Sequence, residues 1–116
     1  MVVVQERQDR VDRIFHALSD PTRRDIVVRS LVGEHSVSAL ARDYPMSFAA
    51  VQKHVAVLER AGLVTKQRRG REQLVRGDID AVREADLVLR RLEDLWHSRL
   101  DRFGEVLADV TREGTT

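Results

Sequence analysis

Residues 46–64 read MSFAAVQKHVAVLERAGLV, and they predict one helix that carries two unlike faces. At about 100° per residue, the apolar side chains fall together on one side: Phe48, Val51, Val55 and Leu58. The opposite side carries Ala49, Lys53, Ala56 and Arg60, with Gln52 on the flank between the two faces. This second face begins with small and hydrogen-bonding side chains, whereas the other predicted helices expose many long charged ones. It therefore indicates a surface that a partner approaches closely.

Helix-starting residues organise the chain before this helix. We expect a first helix over Asp9–Leu18, followed by two more that lead up to the quoted one. The second is expected to bury Leu31 and to stop at Gly33, near Val32. Three side chains are predicted to accept the first free N–H groups of the helices that follow them: Asp20 (before Pro21), Ser36 and Ser47.

Two short strands and a long helix are predicted after the quoted helix. Leu63–Arg68 and Arg71–Arg76 flank Gly70, which can supply the positive φ of a tight hairpin. The rest of the chain, residues 78–111, has the periodicity of one helix. The predicted fold class is mainly α with a small β-hairpin wing, which is a winged helix-turn-helix. We expect a single domain over residues 1–116, with a DNA-binding core at 9–77 and a dimerisation helix at 78–111.

An apolar stripe on the last helix predicts self-association. Apolar residues recur every three or four positions from Val82 to Val110, about 42 Å at 1.5 Å per residue, which is longer than a small core can cover. We expect a second copy of the chain to cover the remainder, with help from the first helix. The predicted dimer residues are Val11, Ile14, Phe15, Leu18, Leu89, Leu92, Trp96, Leu100, Phe103 and Leu107.

The charges are unevenly distributed although the net charge is only +1. Residues 42–76 carry eight basic and three acidic side chains, whereas residues 77–116 carry six basic and ten acidic ones. A basic middle segment beside an acidic tail favours a polyanionic partner for the middle segment. The chain has no cysteine and no run of 18 apolar residues, so we expect a cytoplasmic protein without disulfides or a membrane span.

These features together predict that the quoted helix enters a major groove of double-stranded DNA. Ala49 allows close approach, while Gln52 and Lys53 can reach base edges. Phe48 belongs to the apolar face, but in the first turn it can approach the DNA backbone. His54 lies between the faces and is assigned either to DNA or to packing. The remaining predicted contacts are with phosphates: Ser47 at the helix start, and Arg68, Arg69 and Arg71 at the hairpin tip. Arg23 and Arg24 are either phosphate contacts or intramolecular partners.

Several segments resemble the ArsR-type winged-helix repressors of bacteria, and together they span nearly the whole chain. FHALSDPTRRDIV (Phe15–Val27) resembles that family's second-helix opening, and RRGREQLV (Arg68–Val75) resembles its wing. The quoted segment resembles its recognition helix, and LWHSRLDRF (Leu95–Phe103) its terminal helix. The resemblance implies a homodimer that represses transcription at a palindromic, inverted-repeat operator.

The metal sites that the resemblance implies are not matched. The helix that carries metal-binding cysteines in many members reads SVSALARD here, and the histidine pair of the terminal-helix site would need a partner for His97 at Ala108. We therefore expect the metal-free branch, with no cofactor. An atypical site of His97, Asp94 and Asp101 stays an alternative, as does a winged-helix module that binds a protein. No catalytic residue is predicted, and we do not expect an enzyme.

Overall fold

The computed structural model describes residues 2–114, which form a mainly helical chain with one small antiparallel sheet. Its elements in order are α1 (Val2–Leu18), α2 (Pro21–Val32), β1 (His35–Ser36), α3 (Val37–Arg42), α4 (Phe48–Arg60), β2 (Val64–Arg69), β3 (Glu72–Gly77) and α5 (Ile79–Gly114). The predicted fold class, a winged helix-turn-helix with a long terminal helix, is confirmed. The first helix begins seven residues earlier than its apolar periodicity predicted.

Side-chain caps begin three of the helices, as the sequence predicted. The carboxylate of Asp20 accepts from the N–H of Arg23 at 3.0 Å, and Pro21 opens α2. The hydroxyls of Ser36 and Ser47 accept from backbone N–H groups three residues later, at 3.0 and 3.1 Å. Each cap satisfies a donor that the helix itself leaves free, so the limits of α2, α3 and α4 are set locally.

Two glycines with positive φ shape the wing. Gly62 (φ 77°) follows α4 and turns the chain into β2. Gly70 (φ 64°) is the first of the two residues that join β2 to β3, where a type II′ turn needs a positive φ. The ladder pairs Arg69 with Glu72 next to the turn and Val64 with Gly77 at the base. The predicted hairpin is confirmed, with both strands starting and ending one residue later than expected.

Strand β1 was not predicted. His35 and Ser36 pair antiparallel with Val75 and Leu74, so the sheet has the order β1-β3-β2 and β3 is its central strand. Two residues are too few to show the alternation that identifies a strand. The pairing attaches the wing directly to the residues that precede α3.

The core lies between the first four helices and one face of the hairpin. Its largest fully buried side chains are Ile14, Ile26, Leu40, Val51, Val55, Leu58, Leu63, Val64 and Val75. Two expectations about burial were wrong. Leu31, near the end of α2, is 42% exposed, and Phe48, at the first position of α4, is 47% exposed. Both lie at helix ends, where periodicity still assigns an inner face although the core beneath has ended.

The described residues divide into two compact units between Ala85 and Asp86. The first contains the core, the sheet and the start of α5. In the second, the large apolar side chains are exposed: Leu87, Leu89, Leu92, Leu95, Trp96, Leu100, Phe103, Val106, Leu107 and Val110. Within residues 2–114, no helix combines the length and apolar character required for a membrane span.

Candidate nucleic-acid interface

The start of α4 presents an exposed face of small and polar side chains. Ala49, Gln52 and Lys53 are all exposed, and Ala56 is half-buried. Ser47 is exposed as well, but its hydroxyl oxygen already accepts from Ala50, so its hydroxyl hydrogen is what remains for a ligand. The face is free of bulky charged side chains over its first turn, and it can therefore approach a groove closely.

A concave surface joins this face to the wing. A cavity of about 230 Å³ is lined by residues of α3, α4 and the hairpin: Val37, Ser38, Phe48, Gln52, Arg68, Arg71, Glu72 and Gln73. Two of the predicted α4 residues and two of the predicted wing arginines therefore border one space. Phe48 lies at its edge with half of its surface exposed, which places an apolar ring beside two guanidinium groups.

The three wing arginines do not share one face of the hairpin. Successive residues of a strand point to opposite sides, so Arg68 and Arg69 diverge. Arg68 lines the cavity with Gln52, whereas Arg69 lies 3.5 Å from Glu34 in an exposed ion pair. Such a pair contributes little to stability because water screens it. The structure thus brings Arg68 and Arg71, but not Arg69, next to α4.

An ion pair that the sequence analysis missed fixes the base of the wing. Lys66 of β2 lies 3.4 Å from Glu59 in the last turn of α4. These residues are only seven positions apart, and their opposite charges were the available signal. The contact joins the end of α4 to the strand that carries Arg68.

Arg23 and Arg24 are partners of the protein's own backbone. Arg23 donates from Nε to the carbonyl of Ala17 at 2.8 Å and from Nη2 to that of His16 at 3.1 Å. Arg24 donates to the carbonyl of Leu18 at 2.8 Å. These carbonyls are at the C-terminal end of α1, where no further turn can accept from them. Cationic groups at this end also favour the helix dipole.

His54 contacts this cluster from α4. Its Nδ1 atom lies 3.2 Å from Nη1 of Arg23, and its side chain is half-buried. Because a guanidinium can only donate, Nδ1 is the acceptor in this pair. The contact supports the packing alternative for His54 over the DNA-contact alternative.

A second polar cluster holds the turn before α4 against α2. The Tyr44 hydroxyl donates to Asp25 at 2.5 Å, and Arg29 donates to Asp43 at 2.7 Å. Burial raises the pKa of Tyr44, and the hydrogen bond to Asp25 raises it further. The hydrogen bond to the Tyr44 hydroxyl raises the pKa of Arg29, whose guanidinium also lies 5.7 Å from the centre of the ring.

The predicted dimer residues fall into two groups. Those of α5 are exposed: Leu89, Leu92, Trp96, Leu100, Phe103 and Leu107. Those of α1 are not, since Val11, Phe15 and Leu18 are half-buried and Ile14 is fully buried in the chain's own core. Ile14 has no exposed surface to offer a second copy, so its predicted contact with a partner is not supported.

Residues 2–114 contain no group of three His, Asp or Glu side chains placed to hold a metal ion. His97 faces Glu93 at 3.4 Å on its own helix. The atypical site of His97 with Asp94 and Asp101 is therefore not formed in the described chain.

Comparisons with known proteins agree on one family. No protein-family model matches the chain. Over 67 residues the chain is 43% identical to an HTH-type transcriptional regulator of Mycobacterium tuberculosis; the match spans 58% of this chain and 63% of that protein, which is less than two thirds of its length. An ArsR-like transcriptional regulator from Rhodococcus sp. RHA1 is 30% identical with a TM-score of 0.79, over 87% of this chain and 93% of that one.

A third relative comes from Mycobacterium bovis. It is described as a homodimeric winged helix-turn-helix DNA-binding domain of a possible ArsR-family regulator. Its solution structure is 28% identical to this chain with a TM-score of 0.61, over 75% of this chain and 82% of that one.

Proposed function

The chain belongs to the ArsR family of transcriptional regulators, and on that premise we propose that it is a homodimeric repressor that binds an inverted-repeat DNA operator. The observation that carries the proposal is the concave surface between the start of α4 and the wing, which gathers polar and cationic side chains around one exposed helix face.

Each side chain of this surface has a distinct role in the proposed complex. Gln52 and Lys53 contact base edges, because they are exposed on the leading turns of α4 and long enough to reach into the groove. Ala49 permits close approach. Ser47 donates its hydroxyl hydrogen to a phosphate at the start of the helix, where the dipole favours an anion.

The wing contributes phosphate contacts in this proposal. Arg68 and Arg71 hold the DNA backbone beside α4, and Phe48 packs against the sugar at the edge of the same cavity. Arg69 adds a weaker contact, because its guanidinium is shared with Glu34. Phosphate contacts supply affinity and register, whereas base contacts supply specificity.

Dimerisation is proposed through the exposed apolar side chains of α5. Trp96 is 53% exposed and Phe103 is 62% exposed, and eight further large apolar side chains of the second unit are exposed with them. Monomers rarely expose a continuous apolar surface of this extent. In the proposed organisation, residues 9–77 bind DNA and residues 78–111 associate with a second copy.

Selection from random duplexes tests the proposal. The purified chain is incubated with a library of random DNA, and the retained duplexes are sequenced while light scattering measures the mass of the free protein. We expect a dimer and an inverted repeat whose half-sites are centred about 34–36 Å apart. Failure to enrich any sequence, or a monomer that selects a single half-site, would contradict the proposal.

Base contacts are tested on the selected duplex with single alanine variants. Gln52→Ala and Lys53→Ala should each lose about 1–3 kcal/mol at particular base pairs and relax the preference there. Gln67→Ala is the control, since Gln67 is exposed on β2 and pairs with Leu74 on the side of the hairpin away from Arg68. Equal weakening on the selected and random duplexes would make Gln52 and Lys53 backbone contacts.

A further inference from the structure

We propose that Arg23 is a positioning residue that fixes the orientation of α4 by joining it, through His54, to the end of α1. The inference rests on the proposed DNA-binding function and deepens it, because it assigns control of the recognition helix to a residue that does not touch DNA.

The geometry joins three helices at one guanidinium. Arg23 is in the first turn of α2, where its own N–H donates to Asp20 at 3.0 Å. Its side chain donates to two carbonyls at the end of α1, at 2.8 and 3.1 Å. The remaining contact, 3.2 Å from Nη1 to Nδ1 of His54, reaches the middle of α4. A displacement of α4 relative to α1 must therefore stretch at least one of these bonds.

The chemistry of the guanidinium suits this position. Its five N–H groups form a rigid planar fork, so donors aimed in three directions lose little conformational entropy for each bond. Lysine could supply the charge at the end of α1, but its single nitrogen cannot span the two carbonyls and the imidazole with the same geometry. The partner on α4 is adjacent in sequence to Lys53 and two residues from Gln52, so its orientation determines where both reach.

The alternative is that Arg23 binds a DNA phosphate. Two observations favour positioning. The side chain of Arg23 is half-buried, and three of its five donors are already used by the chain itself. The two possibilities differ in salt dependence, since removing a phosphate contact lowers the slope of log K against log salt by about 0.9, whereas tilting a helix need not change the number of contacts.

Arg24 provides a matched control on the same helix. It also loses one charge and one bond to α1 when replaced, because it donates to the carbonyl of Leu18. Within the described residues, however, no bond links Arg24 to α4. Arg23→Met and Arg24→Met therefore differ in the link to His54, and methionine preserves the aliphatic stem and helix preference of arginine.

The experiment measures affinity for the duplex selected by the wild type, at a series of salt concentrations, for Arg23→Met, Arg24→Met, His54→Leu and the variant that combines Arg23→Met with His54→Leu. Light scattering and thermal melting confirm that each remains a folded dimer. We expect Arg23→Met and His54→Leu each to weaken binding about tenfold, the value of one hydrogen bond to a charged group, with an unchanged salt slope. The combined variant should be no weaker than either single one, and Arg24→Met should stay within about twofold of wild type.

A second measurement is independent of DNA. In nitrogen-15 spectra of the imidazoles at pH 8.5, where the neutral ring is favoured, His54 is assigned by the signal lost in His54→Leu. Its Nδ1 resonance should shift in Arg23→Met and remain in place in Arg24→Met.

The outcomes separate the two proposals. Equal affinity of Arg23→Met and Arg24→Met, additive losses in the combined variant, or a slope lowered by about 0.9 in Arg23→Met would overturn the positioning role. A wild type that selects no duplex would overturn the proposed function instead, and the imidazole spectra would then decide the link between Arg23 and His54. An unfolded Arg23→Met leaves His54→Leu as the test of the same link, with an unchanged affinity as the contrary result.

Discussion

Gly77→Ala is predicted to destabilise the protein because two backbones approach each other at the base of the wing. Gly77 ends β3, and a Cβ atom added there would lie 2.8 Å from Cδ2, 2.9 Å from Cγ and 2.9 Å from the backbone nitrogen of Leu31. Favourable contacts between carbon atoms are about 3.5–4.0 Å. The half-exposed side chain of Leu31 can rotate away, but its backbone nitrogen is part of α2 and can move only with the helix.

The magnitude follows from two opposing terms. Overpacking against a backbone costs about 1–3 kcal/mol, whereas replacing glycine by alanine restricts the unfolded chain and returns about 0.4–1 kcal/mol. The net loss is expected to be about 1–2 kcal/mol. For a chain of this length that corresponds to a fall in Tm of about 4–8 °C, measured by calorimetry at one protein concentration because association stabilises the folded state.

Gly33→Ala is the control for this prediction. Gly33 follows α2 with an extended backbone (φ −164°), and a Cβ atom there would have its nearest neighbour, Cε1 of His35, at 3.9 Å. It should be neutral or slightly stabilising. If Gly77→Ala matched Gly33→Ala, α2 and β3 would not be in rigid contact, and the reasoning would be refuted.

Three further predictions concern the proposed interfaces and pH. Trp96→Asp should give a monomer by light scattering and abolish operator binding, because a buried unpaired charge in the dimer is strongly unfavourable; a monomeric variant with full affinity would contradict the proposed dimer. Arg68→Ala should lower the salt slope of operator binding by about 0.9, and Arg69→Ala should lower it less, since Arg69 points to the other side of the hairpin; the reverse order would reassign the wing contacts. The N–H of Arg23 lowers the pKa of Asp20, so the wild type should gain stability relative to Asp20→Asn above the unfolded pKa of aspartate and lose that gain as pH falls through the lower folded value; parallel Tm curves between about pH 2 and 6 would show no such linkage.

Local signals in the sequence were sufficient for the helices and the hairpin. The caps Asp20, Ser36 and Ser47 each act on a donor three residues away, and Gly70 sets a turn by its own φ. Such interactions depend on neighbours along the chain, so they can be predicted without knowledge of the tertiary structure. The apolar periodicity likewise predicted the core face of α4 at Val51, Val55 and Leu58.

The organisation of the candidate site depended on contacts that the sequence does not encode locally. Arg23 and His54 are 31 positions apart, and neither has a pattern that names the other. The divergence of Arg68 from Arg69 follows from strand alternation, but which of them faces α4 is fixed only by how the sheet packs. Periodicity also could not show that Ile14 is covered by the chain itself while Trp96 is not.

Ser36 belongs to two elements at once, and this has a mechanical consequence. Its backbone is paired with Leu74 in the central strand of the sheet, while its hydroxyl caps α3 by accepting from Ala39. A load applied to the tip of the hairpin therefore passes along β3 and through one residue into the helix that precedes α4. With no flexible joint at this junction, the wing and the helix-turn-helix are geared together, and a strained or bent duplex would be met by one stiff lever instead of two independent arms.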